Sequence, residues 1–146
     1  MKTIRVINGP NLNMLGIREP DIYGKTDYKS LCEMIENYAD VIGVNVQIMQ
    51  SNHEGDLVDI IQQAYGTTDG IVINPGAYTH TSVALLDALK TVGIPAVEVH
   101  ISDVDSREDF RKTSYIRSYV TETITGRGLV GYTDAMETLA QKLKGK

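Results

Sequence analysis

The chain has 146 residues, enough for one ordinary domain with a real core, and its 42% hydrophobic and 23% charged residues match soluble globular domains. A net charge of -5 argues against general nucleic-acid binding, which needs a basic surface, yet leaves room for a local basic pocket that takes an anionic ligand. No apolar run approaches the ~18 residues of a membrane span, so no membrane partner is expected.

The first strand is expected over Thr3–Asn8, and residues 9–25 follow as a long Gly-, Pro- and Asn-bearing segment without periodicity. Met1 and Lys2 lead straight into that strand with no signal-peptide layout, so the expected compartment is the cytoplasm. Thr26 and Asp27 read as a helix start, and Leu31, Ile35, Tyr38 and Ile42 carry the helical period to a stop at Gly43. The single cysteine, Cys32, falls in this helix, cannot form an internal disulfide, and reads as a plain thiol. Further strands are expected at 44–50, Gly70–Asn74, Ala96–His100 and, more weakly, 120–125. Helices are expected at 54–65, 81–92, 107–112 (short) and 133–144. Strands alternating with helices, several of them β-branched, predict a parallel sheet covered on both faces. The simplest right-handed winding is a flavodoxin-like three-layer α/β sandwich, a five-stranded sheet of order 2-1-3-4-5, in one domain over residues 1–146.

Ligands of such sheets bind beyond the C-terminal ends of the strands. Strand one ends at Asn8 and leads to Asn11; strand three ends at Asn74 and leads to His80; strand four ends at His100 and leads to Ile101 and Ser102. Two of the three histidines and several amides therefore collect on one edge, more than structural histidines alone would explain. A loop as long as 9–25 inside a compact domain is usually functional, and it holds Arg18 and Tyr23. An arginine beside a tyrosine favours the phenolate, which can serve as a general base; the plain alternative is a solvated charge and a packed ring. His53, ahead of a helix, reads as a neighbour of its cap. Among Arg107, Arg111, Lys112 and Arg117, a solvated face is the plain reading, with Arg111 the one able to turn back to the edge. No Cys/His zinc spacing, dinucleotide fingerprint or phosphate-loop lysine is present, so no zinc site is expected.

Four motifs in order then carry a resemblance. Asn8-Gly9-Pro10-Asn11-Leu12-Asn13 with Leu15-Gly16, Arg18-Glu19-Pro20 and Tyr23-Gly24 resembles the N-terminal signature of the type II dehydroquinases. Asn74-Pro75-Gly76-Ala77-Tyr78-Thr79-His80-Thr81-Ser82 is similar to their second signature, and Glu98-Val99-His100-Ile101-Ser102 with Arg107 to Arg111 to their third. Gln50-Ser51-Asn52-His53-Glu54-Gly55 is similar as well. The resemblance implies a cofactor-independent hydro-lyase of the shikimate or quinate pathway, dehydrating 3-dehydroquinate to 3-dehydroshikimate by anti elimination through an enolate. It implies a homododecamer built as four trimers. It further implies that Tyr23 is the base, that Arg18 holds it as phenolate, and that Asn11 steadies the enolate, through a water. His100 would be the acid, with Glu98 orienting it. Asn74 and the amides of Ile101 and Ser102 would hold the substrate carboxylate. His80, Arg111 and Asp87 of a neighbouring subunit would hold ring hydroxyls.

Two departures from the family pattern stand out. Asp103 takes the place of a usual asparagine and puts a negative charge near the carboxylate site, and residues 118–128 are more polar than their counterparts, which bears on trimer packing. Two rival readings share the fold: a flavin- or nucleotide-binding module without catalysis, and a structural subunit that lost its activity. The missing Gly-rich phosphate turn counts against the first, and the intact Arg18, Tyr23 and His100 set against the second.

Overall fold

The fold is seen in a computed structural model that describes residues 1–17 and 26–145. Five strands form one sheet: β1 (Thr3–Asn8), β2 (Asn45–Gln50), β3 (Gly70–Asn74), β4 (Ala96–His100) and β5 (Glu122–Thr125). Every pairing is parallel and the order is β2-β1-β3-β4-β5, as the alternating pattern predicts. Among the described residues four α-helices cover it: α1 (Tyr28–Ile42), α2 (Glu54–Gln63), α3 (Val83–Val92) and α4 (Val130–Leu143).

Side-chain alternation along the strands builds two cores. Ile4, Val6, Val72, Val97 and Val99 point to one face and pack under Leu31 and Ile35 of α1 and Tyr132, Met136 and Leu139 of α4. Ile7, Ile71 and Ile73 point to the other face, against Leu57 and Ile61 of α2 and Leu85 and Leu89 of α3. Local chemistry sets the helix ends. The Asp27 carboxylate accepts from the Ser30 amide at 2.9 Å and opens α1. Gly43, at φ 73°, closes it in the left-handed conformation. Ser82 caps α3 through the Leu85 amide at 3.0 Å.

Several boundaries differ from those read off the periodicity. Helix α4 begins at Val130 rather than residue 133, because no side chain caps its start to mark it. The segment expected as a short helix over 107–112 is a 3-10 turn at Asp109–Lys112. Strand β5 starts two residues late, since the Val120 amide is taken by Ile116 in the preceding turn.

The sheet register brings the future site together. Asn8 lies opposite Gln50 on one side and Asn74 on the other, so three amide side chains stand level at the C-terminal edge. Beyond them the chain after β1 presses on the turn after β3: the Gly9 amide donates to Asn74 O at 2.8 Å. A Cβ on Gly9 would sit 2.5 Å from Pro75 O, so only glycine permits this approach.

Candidate active site

The edge carries a pocket lined by Asn11, Asn74, His80, His100, Ile101, Ser102, Arg107 and Arg111, among others. Counting its open mouth and the solvent in it, the cleft encloses about 630 Å³ of space.

Its floor is a buried imidazole–carboxylate pair. Glu98 and His100 are two residues apart on β4, so both point to the face covered by α2 and α3. His100 Nε2 donates to Glu98 Oε2 at 2.5 Å, with the side chains 4% and 0% exposed. A buried carboxylate is costly unless its lone pairs are filled. Here Thr79 Oγ1 donates at 2.8 Å, Ser114 Oγ at 3.0 Å, and Thr123 Oγ1 at 3.3 Å, while Arg117 Nε lies 3.9 Å away. Burial alone would push the Glu98 carboxyl up. The bond to and charge of His100, with the Thr79 and Ser114 hydroxyls, outweigh it and hold the carboxyl below its ordinary value. Glu98 is thus an anion that fixes the imidazole by Nε2 and leaves Nδ1 for exchange with a ligand.

His80 is set for a different task. Its Nδ1 donates to Thr113 O at 2.6 Å, so Nε2 carries the lone pair and can accept from a hydroxyl. Burial, with the charges of His100 and Arg111, lowers its pKa and keeps the ring neutral near pH ~7. Phe110 stands edge-on to His80 at 6.5 Å and lies 5.1 Å from the Arg111 guanidinium. The guanidinium also donates to Glu108, so a ring and a carboxylate aim it together.

Asn11 occupies the left-handed region at φ 71°, alone among the described non-glycine residues. Asparagine tolerates this better than most residues. The conformation is held from outside: Asn52 Oδ1 accepts from the Asn11 amide at 3.0 Å and from Gln50 Nε2 at 3.2 Å, and Gln50 also donates to Gly9 O at 3.1 Å.

The pocket therefore unites Asn11, Asn74, His80, His100, Ile101, Ser102 and Arg111, with Glu98 beneath. It does not include Asp87, which stands on the exposed side of α3. Arg18 and Tyr23 lie outside the described residues. The basic group is not one solvated face. Arg107 and Arg111 line the pocket, Arg117 reaches toward Glu98, and only Lys112 of the four stands mainly in solvent, 61% exposed. Asp103 does not line the pocket. Sequence reading passed over Thr79, Ser114, Thr123 and Asn52, which support Glu98 and Asn11; hydroxyls and amides scattered along a chain carry no local signal of a shared partner. Among the described residues no group of three or more His, Cys, Asp or Glu is placed to hold a metal ion. Two arginines, amides, a neutral imidazole and an imidazole–carboxylate pair suit a small, hydroxylated, anionic ligand that gains or loses a proton.

The Glu98 anion makes stability depend on pH. Its folded pKa is depressed, so its contribution is full above the unfolded carboxylate value of about 4.3 and is lost as pH falls toward the folded value. Glu98→Gln should cost about 1–3 kcal/mol at neutral pH, the cost of leaving buried groups unsatisfied. In urea denaturation, the gap between wild type and variant should narrow below pH ~4.3. A gap that stays constant into acid would show that Glu98 is not held as an anion.

Comparison with known proteins fits this geometry. The family model described as dehydroquinase class II matches residues 2–140. The 3-dehydroquinate dehydratase of Clostridium acetobutylicum is 49% identical over 140 residues, covering 96% of this chain and 97% of that one. The catabolic 3-dehydroquinase of Emericella nidulans is 51% identical over 143 residues, covering 98% and 94%. The crystal structure of the type II dehydroquinase from Butyrivibrio crossotus superposes with a TM-score of 0.93 at 52% identity, covering 94% of this chain and 97% of that one. With this sheet order, this edge pocket and a match along nearly its whole length, the chain belongs to the class II dehydroquinase family.

Proposed function

We propose that this chain dehydrates 3-dehydroquinate to 3-dehydroshikimate, reversibly and by anti elimination. The observation that carries the reading is the His100–Glu98 pair at the floor of an arginine- and amide-lined pocket, in a chain of this family. Tyr23, held as phenolate by Arg18, takes the proton from C2 beside the ketone. The electron pair forms an enolate, steadied by Asn11 through a water. Collapse of the enolate forms the C1–C2 double bond and expels the C1 hydroxyl, which leaves as water with a proton from His100. A weakly acidic C–H needs a base and a stabiliser for the developing charge, and hydroxide leaves poorly unless protonated; one residue cannot do both on opposite faces of a ring. Because Nε2 is committed to Glu98, Nδ1 of His100 is the nitrogen that meets the hydroxyl. Asn74 and the amides of Ile101 and Ser102 hold the carboxylate. The Ile101 carbonyl, which shares a peptide plane with the Ser102 amide, accepts from the Gly128 amide at 3.0 Å, and this steadies that amide. The neutral His80 and Arg111 take ring hydroxyls.

The enzyme works as one domain, without a cofactor, in the cytoplasm, and as four trimers in a dodecamer. No helix among the described residues is long and apolar enough to cross a membrane, which fits that location. Asp87 stands exposed on α3 and outside its own pocket, a placement that supports its reaching a ring hydroxyl in the neighbouring subunit.

Two experiments test this reading. Purified wild type given 3-dehydroquinate should produce the ultraviolet absorbance of the conjugated enone, and Tyr23→Phe should lose turnover by about 10³-fold or more with substrate binding largely kept. Near-normal turnover in the variant would remove Tyr23 from the mechanism. For the shared site, Asp87→Ala and Tyr23→Phe are unfolded together and reassembled. Mixed trimers contain sites that join an intact Tyr23 to a neighbour's intact Asp87, so activity should exceed that of either parent. Absence of recovery in verified mixed trimers, with a defective Asp87→Ala parent, would place Asp87 in its own subunit's service.

A further inference from the structure

Beneath the pocket, on the face opposite the Glu98–His100 pair, a chain of polar side chains runs through the α1/α4 layer. Tyr132 of α4 is 0% exposed, and its hydroxyl sits between the two asparagines that end β1 and β3. It donates to Asn8 Oδ1 at 2.7 Å and accepts from Asn74 Nδ2 at 2.8 Å. Asn8 Nδ2 in turn donates to Tyr28 Oη at 3.3 Å. At the other end, the Gly76 amide donates to Asn74 Oδ1 at 3.1 Å.

The direction of this chain is fixed by proton count. A backbone amide can only donate, so Asn74 must turn its oxygen to Gly76 and its nitrogen to Tyr132. The hydroxyl has one proton, which goes to Asn8, so toward Asn74 it can only accept. Burial raises the Tyr132 pKa above its ordinary value, and the hydroxyl keeps that proton at working pH. No alternative amide orientation satisfies every member. The bonds run head to tail, which strengthens each of them in a buried setting. An asparagine nitrogen has two N–H groups; Tyr132 takes one, and the second is the one Asn74 can present to the pocket it lines.

We infer that Tyr132 is a positioning residue for the active site: its buried hydroxyl, pinned by Asn8, locks the Asn74 carboxamide so that one N–H faces the ligand oxygen. This rests on the reading that Asn74 binds the substrate carboxylate. Tyr132 touches no substrate, and its effect passes wholly through Asn74. The carboxylate is held in ground and transition states alike, so loss of the lock should show in KM more than in kcat.

The test is steady-state kinetics with 3-dehydroquinate, alongside Tm, on wild type, Tyr132→Phe, Asn74→Ala and the double variant. Asn74→Ala should raise KM at least tenfold, as loss of a bond to a charged oxygen does. Tyr132→Phe keeps the ring and should raise KM about fivefold with kcat within about a factor of two. The double variant should be no worse in KM than Asn74→Ala alone, since both changes remove one interaction. Should Tyr132→Phe fail to fold, Asn8→Ala serves: it keeps the hydroxyl but removes the acceptor that pins its proton, and KM should rise in the same direction. A lowered Tm with unchanged KM in the folded variants, or additive KM effects in the double variant, would make Tyr132 merely structural and overturn the inference. An unchanged KM in Asn74→Ala would instead overturn the Asn74 reading, and with it the lock.

Discussion

An ionised carboxylate with no exposed surface, Glu98, sits in the second-to-last strand of the sheet, and the catalytic edge is built around its needs. Its neighbours Val97 and Val99 point the opposite way into the apolar core, so nothing on its own strand except His100 can satisfy it. The remaining donors come from three other segments: Thr79 from the turn after β3, Ser114 from the strap beyond β4, and Thr123 from β5. Satisfying one buried charge thus ties together the turn that carries His80, the strap that carries Arg111 and the edge strand. A single unsatisfied position would leave a buried charge partly bare, at a cost of roughly 1–3 kcal/mol against a domain's net stability of about 5–15 kcal/mol. The fold and the proposed acid are therefore one problem: the network that makes Glu98 tolerable also aims His100.

The other half of the pocket is organised from the opposite face. Asn8 and Asn74 point into the α1/α4 layer, where an apolar core would ordinarily close over them. Tyr132 answers both with one hydroxyl while its ring packs as core. The pocket opens where these two polar insertions, one through each face, meet at the strand ends. That explains why a chain of net charge -5 can gather arginines, amides and imidazoles around one cavity: the local field is set by Arg107 and Arg111, not by the overall balance.

Much of this was legible in the sequence because it follows from local period. The β-branched run Ile71 to Ile73 and the Val97–Val99 pair, separated by helical spacing, are enough for a parallel sheet, and parallel strands put Asn8, Asn74 and His100 on one edge. Boundaries failed where local signals were weak. Val130 opens α4 without a capping side chain, and the 109–112 turn has helical composition but is drawn into a 3-10 form within the strap over the pocket. Arg107 reads as part of a solvated face for a related reason: only the strap folding back over the edge turns that charge into a pocket wall. Least legible were the partners of Glu98 and Asn74. Thr79, Ser114, Thr123 and Tyr132 lie between 16 and 58 residues from the groups they hold, and each reads alone as an ordinary hydroxyl or core ring.

The division of labour proposed for the site separates two events in time: the C2 proton would leave to Tyr23, and the C1 hydroxyl would then leave with a proton from His100. A deuterium label at C2 reads the first event and enone absorbance the second. His100→Asn should slow hydroxyl departure while leaving proton abstraction intact, so the label should wash out into solvent faster than dehydration proceeds. Label loss no faster than dehydration, in both wild type and variant, would contradict the assignment of His100 as the acid.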